Sequence, residues 1–268
     1  MPTQSRDHIQ SLQRGVEVLR AFDGYEAALS VAEVSARVEF SRPVVRRILL
    51  TFQELGYADC VGSLWSLTPR ILELGAGYFA ASSLPEISYR YLPVAVERTG
   101  ETCSVGVLNG DDVIHVARIE DHRPLPDAVR IGHQLPVHAT ALGKVLMADL
   151  EDAAFDGLLE RLELERHTPH TVTDVRALRE RVARVRESGF DVSIEELHPG
   201  MISAAVPIRV DGAAVGALSA SSTTVRETGD SLARRIVPVL RQTASSIACA
   251  YRNANPQLFR KMSRTVRH

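Results

Sequence analysis

Residues 30–67 read SVAEVSARVEFSRPVVRRILLTFQELGYADCVGSLWSL. Ser30 and Glu33 have the spacing of a capping box, in which each side chain accepts a hydrogen bond from the other residue's backbone N–H. Ser41 is placed to cap a second helix, and Pro43 fits the first turn of that helix, where no intrahelical donor is needed. This stretch therefore predicts a short helix, a tight turn and a longer helix.

The longer helix carries an apolar stripe and is followed by a hairpin signal. The stripe recurs at helical spacing in Val45, Ile48, Leu49, Phe52 and Leu55. Gly56 ends the helix, and two short β-like runs then flank Gly62-Ser63, which is typical of a tight hairpin. Because an earlier helix is predicted from Leu12 to Phe22, residues 1–67 are expected to form a winged helix-turn-helix.

Basic side chains lie on the face of the longer helix opposite the apolar stripe. Arg side chains donate hydrogen bonds to phosphates and to base edges, and a helix N-terminus attracts a phosphate. The alternative is an arginine-rich helix face that is only solvated. Combined with the turn and the hairpin, the pattern favours binding to double-stranded DNA. The predicted DNA-binding residues are Ser30, Ser41, Arg42, Pro43, Arg46 and Arg47.

The charges of the whole chain are almost balanced. The 268 residues include 31 Lys plus Arg and 33 Asp plus Glu, so the formal net charge is −2. This total does not exclude DNA binding, because salt limits charge effects to about 8–10 Å. The last residues, 255–268, are predicted to form a basic tail without acids, either solvated or assisting phosphate binding. Its basic residues are Arg260, Lys261, Arg264 and Arg267.

The hydrophobic fraction of 45% is that of a globular protein. It excludes a disordered chain and a membrane bundle. No apolar run is long enough to cross a membrane, and no signal peptide is recognisable. A cytoplasmic location without membrane contact is therefore expected.

Motifs of enzymes and of metal sites are not found in the chain. The three cysteines lie far apart and show no metal-pair or disulfide spacing. His167 and His170 are three residues apart without a nearby thiol, so a metal site is only an alternative to loop histidines. Gly143-Lys144 lacks the Ser or Thr of a phosphate-binding loop, and no nucleophile with its base is recognisable. We therefore predict no metal, no cofactor and no enzyme activity.

After the winged unit, the pattern changes to alternating hairpins and helices. Thr68-Pro69 begins a predicted linker helix over residues 68–84. Asn109-Gly110 marks a hairpin, and a further short strand is predicted at Ala128–Ile131. Antiparallel hairpins with helices outside predict an α+β domain over residues 85–254.

Small hydroxyl side chains mark a candidate ligand site in this second domain. Ser203, Ser219 and Ser221 fall on two strands that are predicted to pair, and Ser219 and Ser221 share one face. Hydroxyls on an inward face suit a ligand with a carboxylate. The loop before Lys144 adds backbone amides at a helix start. Ordinary core or edge serines are the alternative interpretation.

The chain resembles the IclR family of bacterial transcriptional regulators over nearly its whole length. The blocks that carry the resemblance are SLQRGVEVLR (11–20), LLTFQELGY (49–57), LTPRILELG (67–75), GETCSV (100–105), LPVHATALGK (135–144) and EELHPGMISAAVPI (195–208). The SLQRG opening, SLPE at Ser83–Glu86 and AVP at Ala205–Pro207 are most similar to the branch of PcaR, PcaU and PobR. That branch regulates aromatic-acid catabolism through the β-ketoadipate pathway.

The resemblance implies a winged helix-turn-helix, a linker helix and a GAF-like effector-binding domain, assembled as a homodimer or homotetramer. A dimer presents two recognition helices to a pseudopalindromic operator. By motif, the effector pocket of the family maps onto Leu135, Ala141, Leu142, Ser193, Ser203, Ser219 and Ser221.

Two departures from the family pattern concern this pocket. The family often has an acid where Ser193 stands and a Cys where Ser203 stands. Without that acid, the ligand is expected to differ from the short keto acids of some relatives. A small aromatic or dicarboxylic acid is therefore predicted to control operator binding or activity. The alternative is a ligand-binding module or an enzyme of aromatic-acid metabolism without a DNA function.

Overall fold

The computed structural model describes residues 8–23, 26–123, 125 and 129–255 of the chain. The chain divides into two compact units, residues 1–81 and residues 82–268. Each unit has a hydrophobic core of its own. Among the described residues, no helix is long and apolar enough to cross a membrane.

The first unit combines four helices with a small antiparallel sheet in its described part. Its elements are α1 (Gln10–Arg20), β1 (Leu29–Ser30), α2 (Val31–Val38), α3 (Arg42–Glu54), β2 (Ala58–Val61), β3 (Leu64–Leu67) and α4 (Glu73–Ala81), with a single 3-10 turn (Pro69–Leu72) before α4. The strand order is β1-β3-β2. The winged helix-turn-helix predicted from the sequence is confirmed.

Local hydrogen bonds define the turn between α2 and α3. The Glu33 amide donates to Ser30 Oγ (3.3 Å), and the Ser30 amide donates to Glu33 Oε2 (2.7 Å), so the predicted capping box is confirmed. The chain leaves α2 through Glu39, whose φ of 55° lies in the left-handed region. Ser41 then precedes α3 as predicted, although its side chain makes no capping hydrogen bond.

The apolar stripe of α3 packs into the core of the first unit, except for Leu55, which follows the helix and is 50% exposed. Val45 and Leu49 are fully buried, together with Val18 of α1 and Leu29 of β1. Trp65 of the hairpin is also buried in this core. Because one face of α3 is buried, the residues on its opposite face remain in solvent.

The second unit is a six-stranded antiparallel sheet with helices on both faces. Its elements are α5 (Ser83–Thr99), β4 (Thr102–Asn109), β5 (Asp112–Ile119), β6 (Gln134–Pro136), α6 (Ala141–Ala148), α7 (Asp152–Arg161), α8 (Val175–Ser188), β7 (Asp191–Ile194), β8 (Met201–Val210), β9 (Ala213–Thr223) and α9 (Gly229–Ala254), with a 3-10 turn (Val137–Ala139) before α6. The strand order is β6-β5-β4-β9-β8-β7. Helices α5 and α9 cover one face, and α6, α7 and α8 cover the other. The predicted α+β class is confirmed.

The strand predicted at Ala128–Ile131 is wrong. Residues 126–128 lie outside the described part of the chain, and residues 129–131 form no strand. Gly132, with a φ of 89°, turns the chain at this point. The strand β6, which pairs with β5, therefore begins only at Gln134.

The predicted linker helix is described in full, whereas the predicted basic tail is described at one residue. The predicted linker helix, residues 68–84, comprises the 3-10 turn, α4 and the first residues of α5, with Ser82 between the two helices. Of the predicted tail, the structure describes only Asn255. Just before it, Arg252 forms an ion pair with Asp211 at 3.2 Å. The basic residues predicted for the tail, which lie outside the described residues, are Arg260, Lys261, Arg264 and Arg267.

Candidate functional site

The residues predicted to bind DNA lie at the start of α2 and on the outer face of α3. The helical period buries Val45 and Leu49 and leaves the opposite face of α3 in solvent. The exposed predicted residues are Ser41, Arg42, Pro43, Arg46 and Arg47. Ser30 differs from them because its hydroxyl is occupied by the capping hydrogen bond from Glu33.

The arginines of α3 are available for an external anion. In the part of the chain that the structure describes, none of Arg42, Arg46 and Arg47 pairs with an acid. By contrast, Arg37 of α2 contacts Glu26 and donates to the carbonyl oxygen of Ala21. Because unpaired guanidinium groups beside a helix N-terminus attract phosphate, this surface suits a nucleic-acid backbone.

A cavity in the second unit collects all the residues predicted for the effector. They come from five elements: Leu135 from β6, Ala141 and Leu142 from α6, Ser193 from β7, Ser203 from β8, and Ser219 and Ser221 from β9. Strand pairing explains their proximity, because residues paired across neighbouring strands point to the same face. Ser203 pairs with both Ser193 and Ser221 in the sheet register.

The serine hydroxyls of the cavity make only sparse hydrogen bonds. The hydroxyls of Ser203 and Ser221 are 2.9 Å apart. Ser193 donates to the carbonyl oxygen of Ala139 at 3.3 Å, and Ser219 reaches that of Ser104 at 3.5 Å. Each hydroxyl keeps capacity for a further hydrogen bond, since it has two acceptor lone pairs.

The first turn of α6 forms another wall of the cavity. Thr140 caps this helix by accepting a hydrogen bond from the Gly143 amide (3.0 Å). A Cβ atom at Gly143 would lie 2.1 Å from the carbonyl oxygen of Val137, so only glycine allows this close approach. The approach places Ala141 and Leu142 at the cavity, where the helix N-terminus favours a negative charge.

A bulge in β5 adds two side chains that the sequence analysis missed. Residues three apart in a regular strand point to opposite faces. The pairing of β4 with β5 shifts by one residue at Val116, so Val116 and Ala117 both pack in the core beneath α5 and α9. His115 and Arg118 therefore both line the cavity on the other face.

His115 is buried at the cavity without a partner. The residue is 5% exposed. Neither nitrogen of its ring has a hydrogen-bond partner among the described residues. An unsatisfied buried polar group costs about 1–3 kcal/mol. Burial, and then the positive charges of Arg118 and His133, lower the pKa of His115 to about 3. The imidazole is therefore neutral near neutral pH.

Arg118 brings a permanent positive charge to the same face. Its side chain is 7% exposed, and its Nε lies 3.2 Å from Glu120 Oε1. One terminal nitrogen donates to Ser104 Oγ at 3.1 Å. These contacts hold the guanidinium beside the cavity.

A cluster of buried charges lies next to the cavity and explains why Lys144 can be buried. The Lys144 cluster consists of Lys144, Arg181, Asp191 and Glu196. Lys144 is fully buried, with Nζ 2.8 Å from Glu196 Oε2 and 3.7 Å from Asp191 Oδ2. The geometry of these contacts is that of ion pairs and not of directed hydrogen bonds. Arg181 Nε donates to Asp191 Oδ1 at 2.6 Å. The buried ion pairs therefore account for Lys144, and no phosphate-binding motif is needed to explain it.

The histidines considered for a metal have other contacts. The ring of His167 stacks on that of His138, with centroids 5.7 Å apart. His170 Nε2 lies 3.3 Å from Glu195 Oε2. Within the described residues, no group of three His, Cys, Asp or Glu side chains could hold a metal ion.

The size of the cavity limits its ligand to a small molecule. Its volume is about 70 Å³. An engineered apolar cavity of about 150 Å³ binds benzene, so an aromatic ring requires a lining side chain to move. Met201, which lines the cavity, has the flexible side chain that such a movement needs.

Comparison with known proteins assigns both units to one family. The family model of the IclR helix-turn-helix domain matches residues 11–59. The family model of the bacterial transcriptional regulator IclR C-terminal domain matches residues 78–249. This chain belongs to the IclR family. It is therefore a DNA-binding transcriptional regulator, as the sequence predicted.

Similar IclR proteins include regulators named for p-hydroxybenzoate hydroxylase and for the Pca regulon. The chain is 33% identical to the p-hydroxybenzoate hydroxylase transcriptional activator of Acinetobacter baylyi, over 91% of this chain and 92% of that protein. It is also 33% identical to the Pca regulon regulatory protein of Pseudomonas putida, over 89% of this chain and 82% of that protein. These relatives agree with the branch predicted from the sequence.

A solved IclR structure with a ligand has a similar fold. It is the crystal structure of an IclR homolog from Microbacterium hydrocarbonoxydans complexed with 4-hydroxybenzoate. The TM-score is 0.77 at 25% identity, covering 91% of this chain and 99% of that chain.

Proposed function

We propose that this IclR protein is controlled by a small aromatic acid that binds in the cavity of the second unit. The observation that carries the proposal is the cavity itself, because it collects Leu135, Ala141, Leu142 and the four serines predicted for the effector. Hydroxyl groups and the N-terminus of α6 together offer hydrogen bonds to the polar groups of such an acid.

The names of the similar proteins support a single-ring acid. The A. baylyi relative is named for p-hydroxybenzoate hydroxylase, and the M. hydrocarbonoxydans homolog was crystallised with 4-hydroxybenzoate. A single-ring acid also agrees with the cavity volume of about 70 Å³, because one ring fits after a lining side chain moves, whereas a larger ligand would not. We therefore take 4-hydroxybenzoate as the first ligand to test.

The DNA-binding part of the proposal rests on the exposed face of α3. Ser41, Arg42 and Pro43 lie at the start of α3, and Arg46 and Arg47 follow one turn later. We propose that a homodimer or homotetramer presents pairs of α3 helices to the half-sites of a pseudopalindromic operator. In this arrangement Ser30 contributes by starting α2 and thereby orienting α3.

The effector acts by changing the balance between two states of the protein. A ligand shifts such an equilibrium only by its differential affinity for the two states. The predicted linker, residues 68–84, connects the sensing unit to the DNA-binding unit. The proposed role is regulation without enzyme activity.

The DNA function is tested by fluorescence anisotropy on the DNA upstream of the neighbouring operon. Arg46→Ala is expected to weaken specific binding by about 1–3 kcal/mol and to reduce discrimination against unrelated DNA. Arg176→Ala removes an exposed arginine of α8 and serves as the control, with affinity at the wild-type value. Wild-type affinity and specificity in Arg46→Ala would exclude Arg46 as a base-reading residue.

The ligand function is tested by filling the cavity. The double variant Ser219→Leu, Ser221→Leu is expected to abolish binding of 4-hydroxybenzoate in calorimetry, because the added side chains occupy the ligand space. Arg176→Ala, on the surface of α8, is the control and should bind 4-hydroxybenzoate like the wild type. Unchanged ligand binding would contradict the placement of the site. Turnover of an aromatic acid without any specific DNA binding would instead support the enzyme alternative.

A further inference from the structure

The charged groups around the cavity leave one positive charge for a ligand. The Lys144 cluster has two cations and two anions, so its net charge is zero. Arg118 is the one Lys or Arg among the described residues that line the cavity. Its partner Glu120 is 62% exposed, so solvent screens that ion pair. Arg118 is therefore the one guanidinium or ammonium group of the described lining that can face a ligand anion.

His115 is a second and independent sign of a ligand beside Arg118. It lines the cavity and is nearly completely buried, yet the described part of the chain provides no hydrogen-bond partner for either ring nitrogen. Buried polar groups in native proteins nearly always have a partner. A polar ligand atom in the cavity would supply it.

We propose that Arg118 binds the single carboxylate of the effector and that the imidazole of His115 donates a hydrogen bond to the same carboxylate. The inference rests on the proposed function, because it takes the effector to be a small acid in this cavity. The bulge at Val116 is what allows both side chains to reach one ligand group. The ring of the ligand then extends toward the serines of β8 and β9.

This arrangement selects monocarboxylic acids over dicarboxylic acids. A second carboxylate at the far end of the ligand would lie among serine hydroxyls and near Glu196, which also lines the cavity. The cation nearest to Glu196 is Lys144, which is already paired with it at 2.8 Å. No second cation of the described lining balances another ligand charge, whereas an uncharged hydroxyl can hydrogen-bond to the serines.

The test is calorimetric titration of the full-length protein with three ligands of the same ring size. They are 4-hydroxybenzoate, its uncharged amide 4-hydroxybenzamide, and the dicarboxylate terephthalate. The wild type is expected to bind 4-hydroxybenzoate most tightly of the three. In Arg118→Gln, affinity for 4-hydroxybenzoate should fall about 10- to 100-fold, the range for loss of a hydrogen bond to a charged group. Affinity for the amide should stay the same, so the preference for the acid disappears.

Further variants separate a local contact from a general defect. Arg118→Lys keeps the positive charge and should retain part of the preference for the acid over the amide. His115→Leu should weaken binding of the acid by about 2- to 10-fold and leave that preference in place. Arg176→Gln, at a side chain that is 88% exposed on α8, is the matched control and should bind all three ligands like the wild type.

The possible results distinguish this inference from the proposed function. If the wild type binds 4-hydroxybenzoate and Arg118→Gln binds it equally well, or loses acid and amide alike, the inference is overturned and the proposed function stands. Tighter binding of terephthalate than of 4-hydroxybenzoate in the wild type would overturn the monocarboxylate selection, whatever the variants do. Failure of the wild type to bind any aromatic acid would contradict the proposed function and the inference with it.

Discussion

The arginines of α3 and the arginine of the cavity carry the same group in opposite surroundings. Arg42, Arg46 and Arg47 are exposed and have no acid partner in the described part of the chain. Arg118 is 7% exposed and is held by Ser104 and Glu120. Exposed charges act through water and are weakened by salt, whereas a buried charge acts strongly at short range. The first set suits a large polyanion, and the second suits one small anion in a fixed position.

Removing a buried cation should have the largest effect. Lys144→Met leaves Asp191 and Glu196 buried with Arg181 as their remaining cation. The free energy of unfolding is expected to fall by about 3–5 kcal/mol, because an uncompensated charge stays in the interior. Urea unfolding of the purified variant measures this loss.

The control for this prediction is a cation on the surface. Arg176→Met removes the partner of Glu180, in a pair that is exposed on α8. Its stability should stay within about 0.5 kcal/mol of the wild type. Equal losses in the two variants would show that burial does not determine what these cations contribute.

Protonation of His115 should make stability depend on pH. The folded pKa of His115 is lowered to about 3, mainly by burial, whereas a histidine of the unfolded chain has a pKa of about 6.5. Between these two values the unfolded state binds one more proton than the folded state. The contribution of neutral His115 to the free energy of unfolding is therefore fully present above about pH 6.5. It falls by about 1.4 kcal/mol per pH unit as the pH decreases toward 3.

The variant His115→Leu isolates this contribution. Urea unfolding of wild type and variant at pH 7 and at pH 5 gives the difference in stability between the two proteins. When the pH is lowered from 7 to 5, the wild type should lose about 2 kcal/mol more of its free energy of unfolding than the variant does. Parallel changes in both proteins would mean that His115 is not held neutral by its surroundings.

Salt dependence should reveal the smallest effect, at a single exposed arginine. If Arg47 contacts a phosphate, Arg47→Ala reduces the slope of log K for DNA against log salt concentration by about 0.9. Anisotropy titrations at several salt concentrations measure the slope. Arg176→Ala is the control, because this exposed arginine of α8 lies outside the proposed DNA-binding surface and should leave the slope at the wild-type value. A wild-type slope in Arg47→Ala would remove Arg47 from the DNA contacts.

Most of the first unit could be predicted from the sequence because its signals act locally. The capping box of Ser30 and Glu33 and the position of Pro43 each concern one helical turn. The hairpin follows from Gly62-Ser63 and from the apolar residues beside it. Such signals need no knowledge of distant residues, which is why the predicted elements agree with the structure.

The cavity could be predicted only in part. Two-residue alternation placed Ser219 and Ser221 on one face, and the resemblance supplied Ala141 and Leu142. The spacing of His115 and Arg118 argued against a shared face, because a regular strand would separate them. Their meeting depends on a bulge that is created by pairing with β4, so no local signal in β5 could have revealed it.

By itself, the sequence determined the winged helix-turn-helix, the α+β class and the serine-lined face, because helix caps, turns and strand alternation are properties of neighbouring residues. Only the tertiary structure decided that Arg118 and His115 share one cavity and that Lys144 is buried among acids. Strand register and burial arise from contacts between residues far apart in the chain. Those contacts determine which charges remain available to a ligand.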